Sequence, residues 1–326
     1  MKPRMTPSRH APRARQRGAA LLTALVIVTL VLSLSAAMVW RQYRSVEIEA
    51  ADRARVQADW ILLGALDYAR LILREDARAN QTTPIDDLGE VWAVPLAETK
   101  LSTFLAADQD HNSDDSGPQA YLSGQISDAQ SRYNLRNLIS TSGGRTGADP
   151  AEVQVLQRIF DNIGVAPALA TQIATQVGAV GFGRSGSDAG LNLQSIDQLG
   201  WLGLSPALIE QLRPYVVMLP QATPVNINTA PREVLAALAD GMDLAAATRL
   251  VQTRVTQPFH SLDAAKTLLP ANVSFSSTRA AVMSSYFFVD GRLRMEGQVM
   301  QQRSLVQRNG LNMVVLARDR VNPAPP

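Results

Sequence analysis

The sequence predicts an α+β protein in which one long N-terminal helix packs on a small antiparallel sheet, and a large helical insertion interrupts that sheet. Three observations carry this prediction. An apolar stretch near the N-terminus passes into an amphipathic one, alternating strand patterns flank the middle of the chain, and repeated helix start signals fill the middle. A helical block between two sets of strands indicates an insertion rather than a second domain in series.

The composition allows a substantial core, because 46% of the 326 residues are hydrophobic and 18% are charged. No cysteine occurs, which excludes disulfides, Cys-based metal sites and a cysteine nucleophile. Residues 1–18 hold six basic residues and no acid, so their removal changes the net charge from +2 to −4. Without them, bulk electrostatics gives no reason to bind nucleic acid.

The N-terminal region reads as a basic segment (1–18) followed by a membrane span (19–40). As a helix the apolar run would extend ~33 Å, enough to cross the hydrocarbon core of a bilayer. The basic flank places the N-terminus in the cytoplasm. Three interpretations stay open: an uncleaved anchor, a signal peptide cut near Ala37, and a leader removed after Gly18 with the helix retained.

Residues 41–83 predict a continuation of the same helix outside the membrane, because the pattern becomes amphipathic. Four apolar residues recur on one face: Leu62, Leu66, Ala69 and Leu73. Four charged residues occupy the opposite face: Asp59, Asp67, Arg70 and Arg74.

The first strand region is predicted at 84–136. PIDDLGEVWAVPL (84–96) precedes a polar loop, DQDHNSDDSG (108–117), and YLSGQISDAQSRYNLRNL (121–138) then begins with β-type alternation.

Residues 137–283 predict a helical block marked by caps. Asp149-Pro150 and Ser205-Pro206 are typical helix starts, and Thr229 is predicted to cap a further helix that has Pro231 in its first turn.

The strands return at 284–320. Tyr286–Glu296 alternates without a break, which predicts one continuous strand with a bulge at Gly291. Asn309-Gly310 is predicted to form a tight hairpin turn, and the tail 321–326 is predicted to be disordered.

The border at Gly18 resembles the class III leader of type IV pilins and type II secretion pseudopilins. The resemblance implies cleavage between Gly18 and Ala19 by prepilin peptidase, N-terminal methylation, and retention of the helix. The fifth mature residue is usually glutamate, but here it is Thr23. One group that usually lacks this acid is the K-class minor pseudopilins, the general secretion pathway protein K family.

Two further blocks resemble the same family. Its "E-x-W-A-x-P" element is matched at Glu90 and Trp92, and its "I-x-D-x-x-x-x-x-N-L" element at Asp128 and Asn134. VNINTAPREVLAAL (225–238) supplies a third set of motif residues: Asn226, Asn228 and Thr229.

The family resemblance implies a pilin-like fold with a large insertion that is SAM-like or helix-hairpin-helix-like. It implies a non-enzymatic subunit, single-pass in the inner membrane with a periplasmic domain, that starts or caps the pseudopilus used to export folded proteins. The implied partners are other minor pseudopilins, the major pseudopilin, prepilin peptidase and the inner membrane, with no nucleic acid. Because uncharged Thr23 cannot pair with the N-terminal amine of a neighbouring subunit, we expect it to influence assembly.

Calcium is the one cofactor that the sequence raises, and no confident site emerges. Four residues in the polar loop alternate like the start of a calcium loop: Asp108, Asp110, Asn112 and Asp114. Ser113 stands where such a loop needs glycine, and Gln119 where it needs glutamate. The family also implies an acidic calcium segment in the insertion, but the matching region, 175–190, has only Asp188 as an acid.

Two other functions stay open as alternatives. "NINTA" also resembles helix-hairpin-helix modules of DNA receptors, which would make the chain a membrane-anchored DNA-binding protein. Asp240 and Asp243 stand where a phosphate would bind, which disfavours that interpretation. The second alternative is an exported soluble protein cleaved near Ala37. The three histidines have no neighbours that suggest a catalytic triad.

Overall fold

The computed structural model describes residues 16–106, 119–142, 145–180, 193–295 and 297–321. These residues divide into two compact units, Met1–Trp60 and Ile61–Pro326. Most of the predicted leader and residues 322–326 of the predicted tail lie outside the described residues.

The first unit consists of the N-terminal part of helix α1 (Gln16–Ala79). The side chains of residues 19–40 are exposed in the isolated chain, and the helix is long and apolar enough to cross a membrane. This stretch contains no Asp, Glu, Lys or Arg, so its exposed surface carries no charge.

The second unit contains the end of α1, a five-stranded sheet and the insertion. The remaining elements, in chain order, are β1 (Leu96–Lys100), α2 (Leu101–Ala106), β2 (Ala120–Asp128), β3 (Tyr133–Asn134), β4 (Ile139–Ser142), β5 (Arg145–Ala148), α3 (Pro150–Asn162), α4 (Ala168–Val180), α5 (Pro206–Leu212), β6 (Val216–Val217), β7 (Val225–Asn226), α6 (Arg232–Leu238), α7 (Leu244–Thr256), α8 (Leu262–Lys266), β8 (Ala280–Ala281), β9 (Tyr286–Met295), β10 (Gln298–Asn309) and β11 (Asn312–Val321). Short 3-10 turns occur at Val91–Ala93, Ala129–Ser131, Leu135–Leu138 and Ile196–Leu202.

The sheet has the order β1-β2-β9-β10-β11, and all its neighbouring strands are antiparallel. Because β2 pairs directly with β9, everything between Asp128 and Tyr286 leaves the sheet and returns to it as an insertion. The insertion thus begins before the predicted boundary at 136: Tyr133 and Leu135 already pack in its core.

Helix α1 packs on the sheet through the predicted apolar face. Leu62, Leu66, Ala69 and Leu73 are all buried, and the last three pack with the sheet residues Phe287 and Val306. The predicted charged face is only partly solvent-exposed. Arg70 is half-buried and donates from Nε and Nη2 to the Met313 carbonyl of edge strand β11, at 3.0 and 2.7 Å.

Strand β9 confirms the predicted continuous strand, with Phe287, Val289, Leu293 and Met295 buried on one face. The predicted bulge at Gly291 is wrong, because the pairings with β2 and β10 run through it without a shift. The register shifts instead between Leu305 and Val306 of β10. The hairpin at Asn309-Gly310 is confirmed, with Asn309 paired to Asn312 and Gly310 at a φ of 57°.

The insertion forms its own core and is less purely helical than predicted. β4 and β5 pair as an antiparallel ribbon that the sequence analysis missed, and β3–β6 and β7–β8 form short parallel pairs. The helices α3, α4, α6 and α7 bury apolar faces together, including Leu156, Phe160, Ile173, Leu235 and Leu250.

The helix caps were predicted in part. Asp149 caps α3 by accepting from the backbone N–H of Ala151 (2.9 Å), and Ser205 caps α5. The predicted cap at Thr229 is wrong: α6 begins after Pro231 without a side-chain cap, and the Thr229 hydroxyl bonds elsewhere.

Candidate functional site

A buried polar junction lies where the insertion meets the sheet and the end of α1. It unites residues from segments that lie far apart in the chain, and five of them belong to the predicted motifs: Glu90, Trp92, Asp128, Asn226 and Thr229. Its members are Asp76, Asn80, Asp86, Glu90, Trp92, Asp128, Gln130, Asn226, Thr229, Ser284 and Arg308. We call this set the polar junction.

Asp128, the last residue of β2, is the centre of the junction. Its Oδ2 accepts from Thr229 Oγ1 (2.6 Å), Ser284 Oγ (2.6 Å) and Asn226 Nδ2 (3.0 Å). Its Oδ1 accepts from the backbone N–H of Gln130 at 2.7 Å. One carboxylate therefore joins the sheet to both the beginning and the end of the insertion.

The two motif asparagines of "NINTA" use both ends of their amides. Asn226 donates to the Asp86 carbonyl (2.9 Å) as well as to Asp128, and its Oδ1 accepts from the backbone N–H of Asn228. Asn228 forms a two-bond pair with the backbone of Phe259: its Nδ2 donates to the carbonyl (2.9 Å) and its Oδ1 accepts from the N–H (2.8 Å). Both side chains thus provide hydrogen-bond partners for buried backbone groups that lie outside regular helices and strands.

Asn134 makes an analogous clamp on another loop of the insertion. Its Nδ2 donates to the Gln221 carbonyl at 2.6 Å, and its Oδ1 accepts from the backbone N–H of Leu219 at 3.2 Å. Nearby, Asn137 exchanges two hydrogen bonds with the backbone of Thr223. This clamp lies beside the polar junction in the chain but makes its own set of bonds.

Glu90 and Trp92 fasten the segment after α1. Glu90 Oε2 accepts from Trp92 Nε1 at 2.6 Å, and Oε1 accepts from Asn80 Nδ2 at 2.6 Å. The Trp92 ring is 1% exposed and meets Phe287 edge-on, with ring centroids 5.3 Å apart. The "E-x-W" spacing therefore places a carboxylate where it pairs with the indole of its own motif.

Arg308 of β10 supplies the positive charge of the junction. It bridges Asp76 (Nη1 to Oδ2, 2.9 Å) and Asp86, and Nη2 also donates to the Ser284 carbonyl at 2.6 Å. Its guanidinium lies over the Phe287 ring, 4.9 Å from the centroid. Asp86 also accepts from the backbone N–H of Ser284 at 2.7 Å.

Carboxylates outnumber this one arginine, so the junction favours protonated acids. Burial raises the pKa of Asp76 to about 7; Glu90 and Asp86 add to the rise, and Arg308 opposes it. Burial likewise raises the pKa of Asp128 to about 6, and it raises the pKa values of Asp86 and Glu90.

Asp76, Asp86 and Glu90 each offer a carboxylate oxygen within 4.8 Å of the others, which is a spacing that a metal ion could use. The contacts argue against this use. Asn80 Nδ2 already lies between Asp76 Oδ1 (3.3 Å), the Ile85 carbonyl (3.2 Å) and Glu90 Oε1, and Arg308 bridges Asp76 and Asp86. The amide and the guanidinium thus occupy the positions that a cation would take.

The other predicted site residues lie apart from the junction. Gly18, Ala19 and Thr23 belong to the first unit, where the Thr23 hydroxyl donates to its own helix at the carbonyls of Ala19 and Ala20, each at 3.0 Å. The loop candidates Asp108, Asp110, Asn112 and Asp114, and Asp188 in the insertion, lie outside the described residues. Calcium binding therefore stays a prediction.

The hairpin that could hold a DNA phosphate is already occupied by protein carboxylates. Gly241 turns with a φ of 80°, but Asp243 caps α7 by accepting from the backbone N–H of Ala246 at 2.7 Å. Asp240 pairs with Arg158. Both acids disfavour an anion at this helix start.

Sequence reasoning missed several members of the junction: Asp76, Asn80, Asp86, Gln130, Ser284 and Arg308. Asp86 could have been noticed from the sequence, because it is an acid that lies shortly before the Glu90-x-Trp92 motif. Ser284 lies just before β9 and Arg308 is one polar residue among several in β10, so no local signal marks them.

The fold and the junction define a class of protein: a pilin-like subunit, in which a long N-terminal helix packs on an antiparallel sheet that carries a helical insertion. Residues 225–283 match the family model described as type II secretion system (T2SS), protein K. The chain is 28% identical to type II secretion system protein K of Pseudomonas aeruginosa PAO1, over 94% of this chain and 93% of the relative. The identity to protein K of Klebsiella pneumoniae is also 28%, over 93% and 96%.

The fold is also similar to a solved chain in the GspK-GspI-GspJ complex from the type 2 secretion system of enterotoxigenic Escherichia coli. The TM-score is 0.60 at 19% identity, covering 83% of this chain and 98% of that chain. The chain is thus similar over more than nine-tenths of its length to protein K of type II secretion systems, and it shares the fold of a solved chain of the GspK-GspI-GspJ complex.

Proposed function

We propose that this chain is a single-pass inner-membrane subunit that starts or caps the periplasmic pseudopilus and thereby serves the export of folded proteins. The observation that carries the proposal is the end-to-end similarity to protein K relatives, over more than nine-tenths of both chains. The anchor helix and the insertion both fall within that similarity.

The proposed topology rests on charge and length. Six basic residues before Gly18 favour a cytoplasmic N-terminus, and residues 19–40 suffice for one crossing. Prepilin peptidase would cut between Gly18 and Ala19 and leave the helix as the anchor. The chain would act as an assembly component rather than an enzyme, with no cofactor in its resting state.

The proposed partners are other minor pseudopilins, with the major pseudopilin below them. The related solved chain was crystallised in a complex with GspI and GspJ, which supports minor pseudopilins as direct partners. A terminal position is supported by Thr23, whose hydroxyl bonds are satisfied within its own helix and leave no charge for a further subunit to neutralise.

The test combines processing and association in the native host. Mass spectrometry of the tagged full chain should find Ala19 as the first residue, and Gly18→Val should leave the leader attached. The processed chain should co-purify with the other minor pseudopilins of the same system. A mature chain that starts near Ala37, or one that purifies without any pseudopilin, would overturn the proposal.

A further inference from the structure

Two paired glycines, Gly124 and Gly291, line the sheet side of a cleft beneath α1. Gly124 of β2 pairs with Gly291 of β9, and their registered positions lie on the sheet face that α1 covers. A Cβ at Gly291 would lie 3.2 Å from Leu62 Cδ2 of the helix. A cleft of about 280 Å³ remains between helix and sheet, and six residues of α1 line its helix side: Leu62, Ala65, Leu66, Tyr68, Ala69 and Ile72.

The mouth of this cleft is apolar and open. Val91 and Val94 line it and are 76% and 67% exposed, and Tyr68 beside them is half-exposed. An apolar cavity of about 150 Å³ accepts a benzene ring, so this cleft has room for a large apolar group. Exposed apolar surface around a preformed pocket is typical of a protein-binding site.

We propose that this cleft receives a bulky aliphatic or aromatic side chain from the globular domain of a neighbouring pilin-like subunit. The inference rests on the proposed function, in which other pseudopilins lie beside this chain. It places one of their contacts at the cleft between α1 and the sheet. The inserted side chain would be the anchor residue of that interface, and the exposed valines would form its rim.

Charge argues against a phospholipid as the occupant. Among the described residues that line the cleft, the only charged side chain is Asp290, which pairs with Arg303 at 2.7 Å. A phosphate headgroup would therefore meet an acid and no free cation at the cleft.

The composition of residues 107–118 argues against this segment as the occupant. Residues 107–118, which lie between α2 and β2, read ADQDHNSDDSGP and contain four acids and no large apolar side chain. Burying this segment in an apolar cleft is unfavourable, because the free energy needed to desolvate its carboxylates exceeds the gain from burying its small apolar groups. This segment therefore does not supply the occupant.

The decisive variant fills the cleft from the helix side. Ala65→Phe places a ring where the partner's side chain would go, and Val94→Asp puts a charge on the exposed rim without disturbing the core. The control is Val255→Phe, which introduces the same side chain on α7 at a position that is 78% exposed. Each full-length chain is placed in lipid nanodiscs and titrated with the purified minor pseudopilins of the same system.

The expected result is at least a tenfold weaker affinity for Ala65→Phe and Val94→Asp, with wild-type affinity for the control. Unchanged affinity for both cleft variants would overturn the inference while leaving the proposed function intact. So would the loss of only self-association, or of only a bound lipid detected by native mass spectrometry. No association by the wild-type chain would overturn the proposed function, and this inference with it.

Discussion

The side-chain amide of Asn226 donates to the Asp128 carboxylate across 3.0 Å and joins two residues that are 98 positions apart. Asp128 ends a strand of the sheet and Asn226 lies in a short strand of the insertion. The contact therefore makes the orientation of the insertion depend on a buried, charge-assisted hydrogen bond.

Asn226→Ala should lower the free energy of unfolding by about 2–3 kcal/mol, because it removes donors from a buried carboxylate and a buried carbonyl. Denaturant titration of the full chain in detergent measures the change. Asn312→Ala, at an exposed position of β11, is the control and should stay within about 0.5 kcal/mol of wild type. Equal effects of the two substitutions would show that the junction does not stabilise the fold.

The stability of the chain should fall as the pH rises from about 4 to about 7. The pKa of Asp76 is about 7 in the folded chain, above the ordinary value near 3.9 that it regains on unfolding. Since the folded state holds this proton more tightly, its stabilising effect is complete below pH 4 and is lost as the pH rises through 7.

Asp76→Asn isolates this effect, because the amide cannot titrate. Relative to this variant, wild type should lose up to about 1.4 kcal/mol per pH unit over that interval, measured by denaturation at several pH values. Parallel curves for the two chains would mean that Asp76 titrates normally and that Arg308 compensates for its burial.

In a chain that already carries Trp40→Phe, because Trp40 lies in the proposed membrane span, Trp92→Phe should remove the blue-shifted part of the tryptophan fluorescence. Trp92 is 1% exposed, whereas the other three tryptophans are 60–71% exposed: Trp40, Trp60 and Trp201. The substitution also leaves Glu90 without an indole donor, which should cost about 1–3 kcal/mol. An unchanged emission maximum would contradict the buried position.

Two glycine-to-alanine changes should have opposite signs. At Gly124 a new Cβ would lie 2.8 Å from the Asp290 carbonyl oxygen, so Gly124→Ala should destabilise the sheet by about 1–3 kcal/mol. At Gly64, in the exposed face of α1, a Cβ meets nothing within 4 Å, so Gly64→Ala should stabilise the helix by about 0.5–1 kcal/mol. Thermal unfolding of both variants measures these changes in stability. A change of the same sign in both variants would contradict the prediction.

Thr23→Glu should lower secretion, because a carboxylate in the anchor needs a cationic partner that a terminal subunit would not meet. Thr23→Val, which has nearly the same shape and no charge, is the control and should secrete normally. The amount of a secreted substrate protein in the culture medium is the measure. Normal secretion by the glutamate variant would make the charge at this position irrelevant.

Periodic features of the fold were predictable, because each depends on its own neighbours in the chain. The buried face of α1 through Leu66 and Leu73, the alternation of β9 and the turn at Gly310 all follow from local pattern. The bulge at Gly291 was predicted wrongly because the glycine is there for another reason: it lets Leu62 of α1 pack closely on the strand. The alternation pattern of a strand contains no information on such a contact.

The site was predictable only as a set of motif residues. Glu90, Asp128 and Asn226 were singled out, but their convergence depends on contacts across the fold. Thr229 was assigned to a helix cap because it precedes α6, whereas its hydroxyl bonds to Asp128 instead. β4 and β5 were missed because strands of four residues, rich in serine, threonine and glycine, carry little pattern.

The side chain of Gln130 accepts from the backbone N–H of Ser285 at 2.6 Å. This hydrogen bond joins the two ends of the insertion next to the sheet. Because the insertion leaves and re-enters the sheet between the neighbouring strands β2 and β9, its size does not change the register of these strands. Evolution can therefore lengthen, shorten or replace the insertion in relatives while α1 and the sheet stay the same.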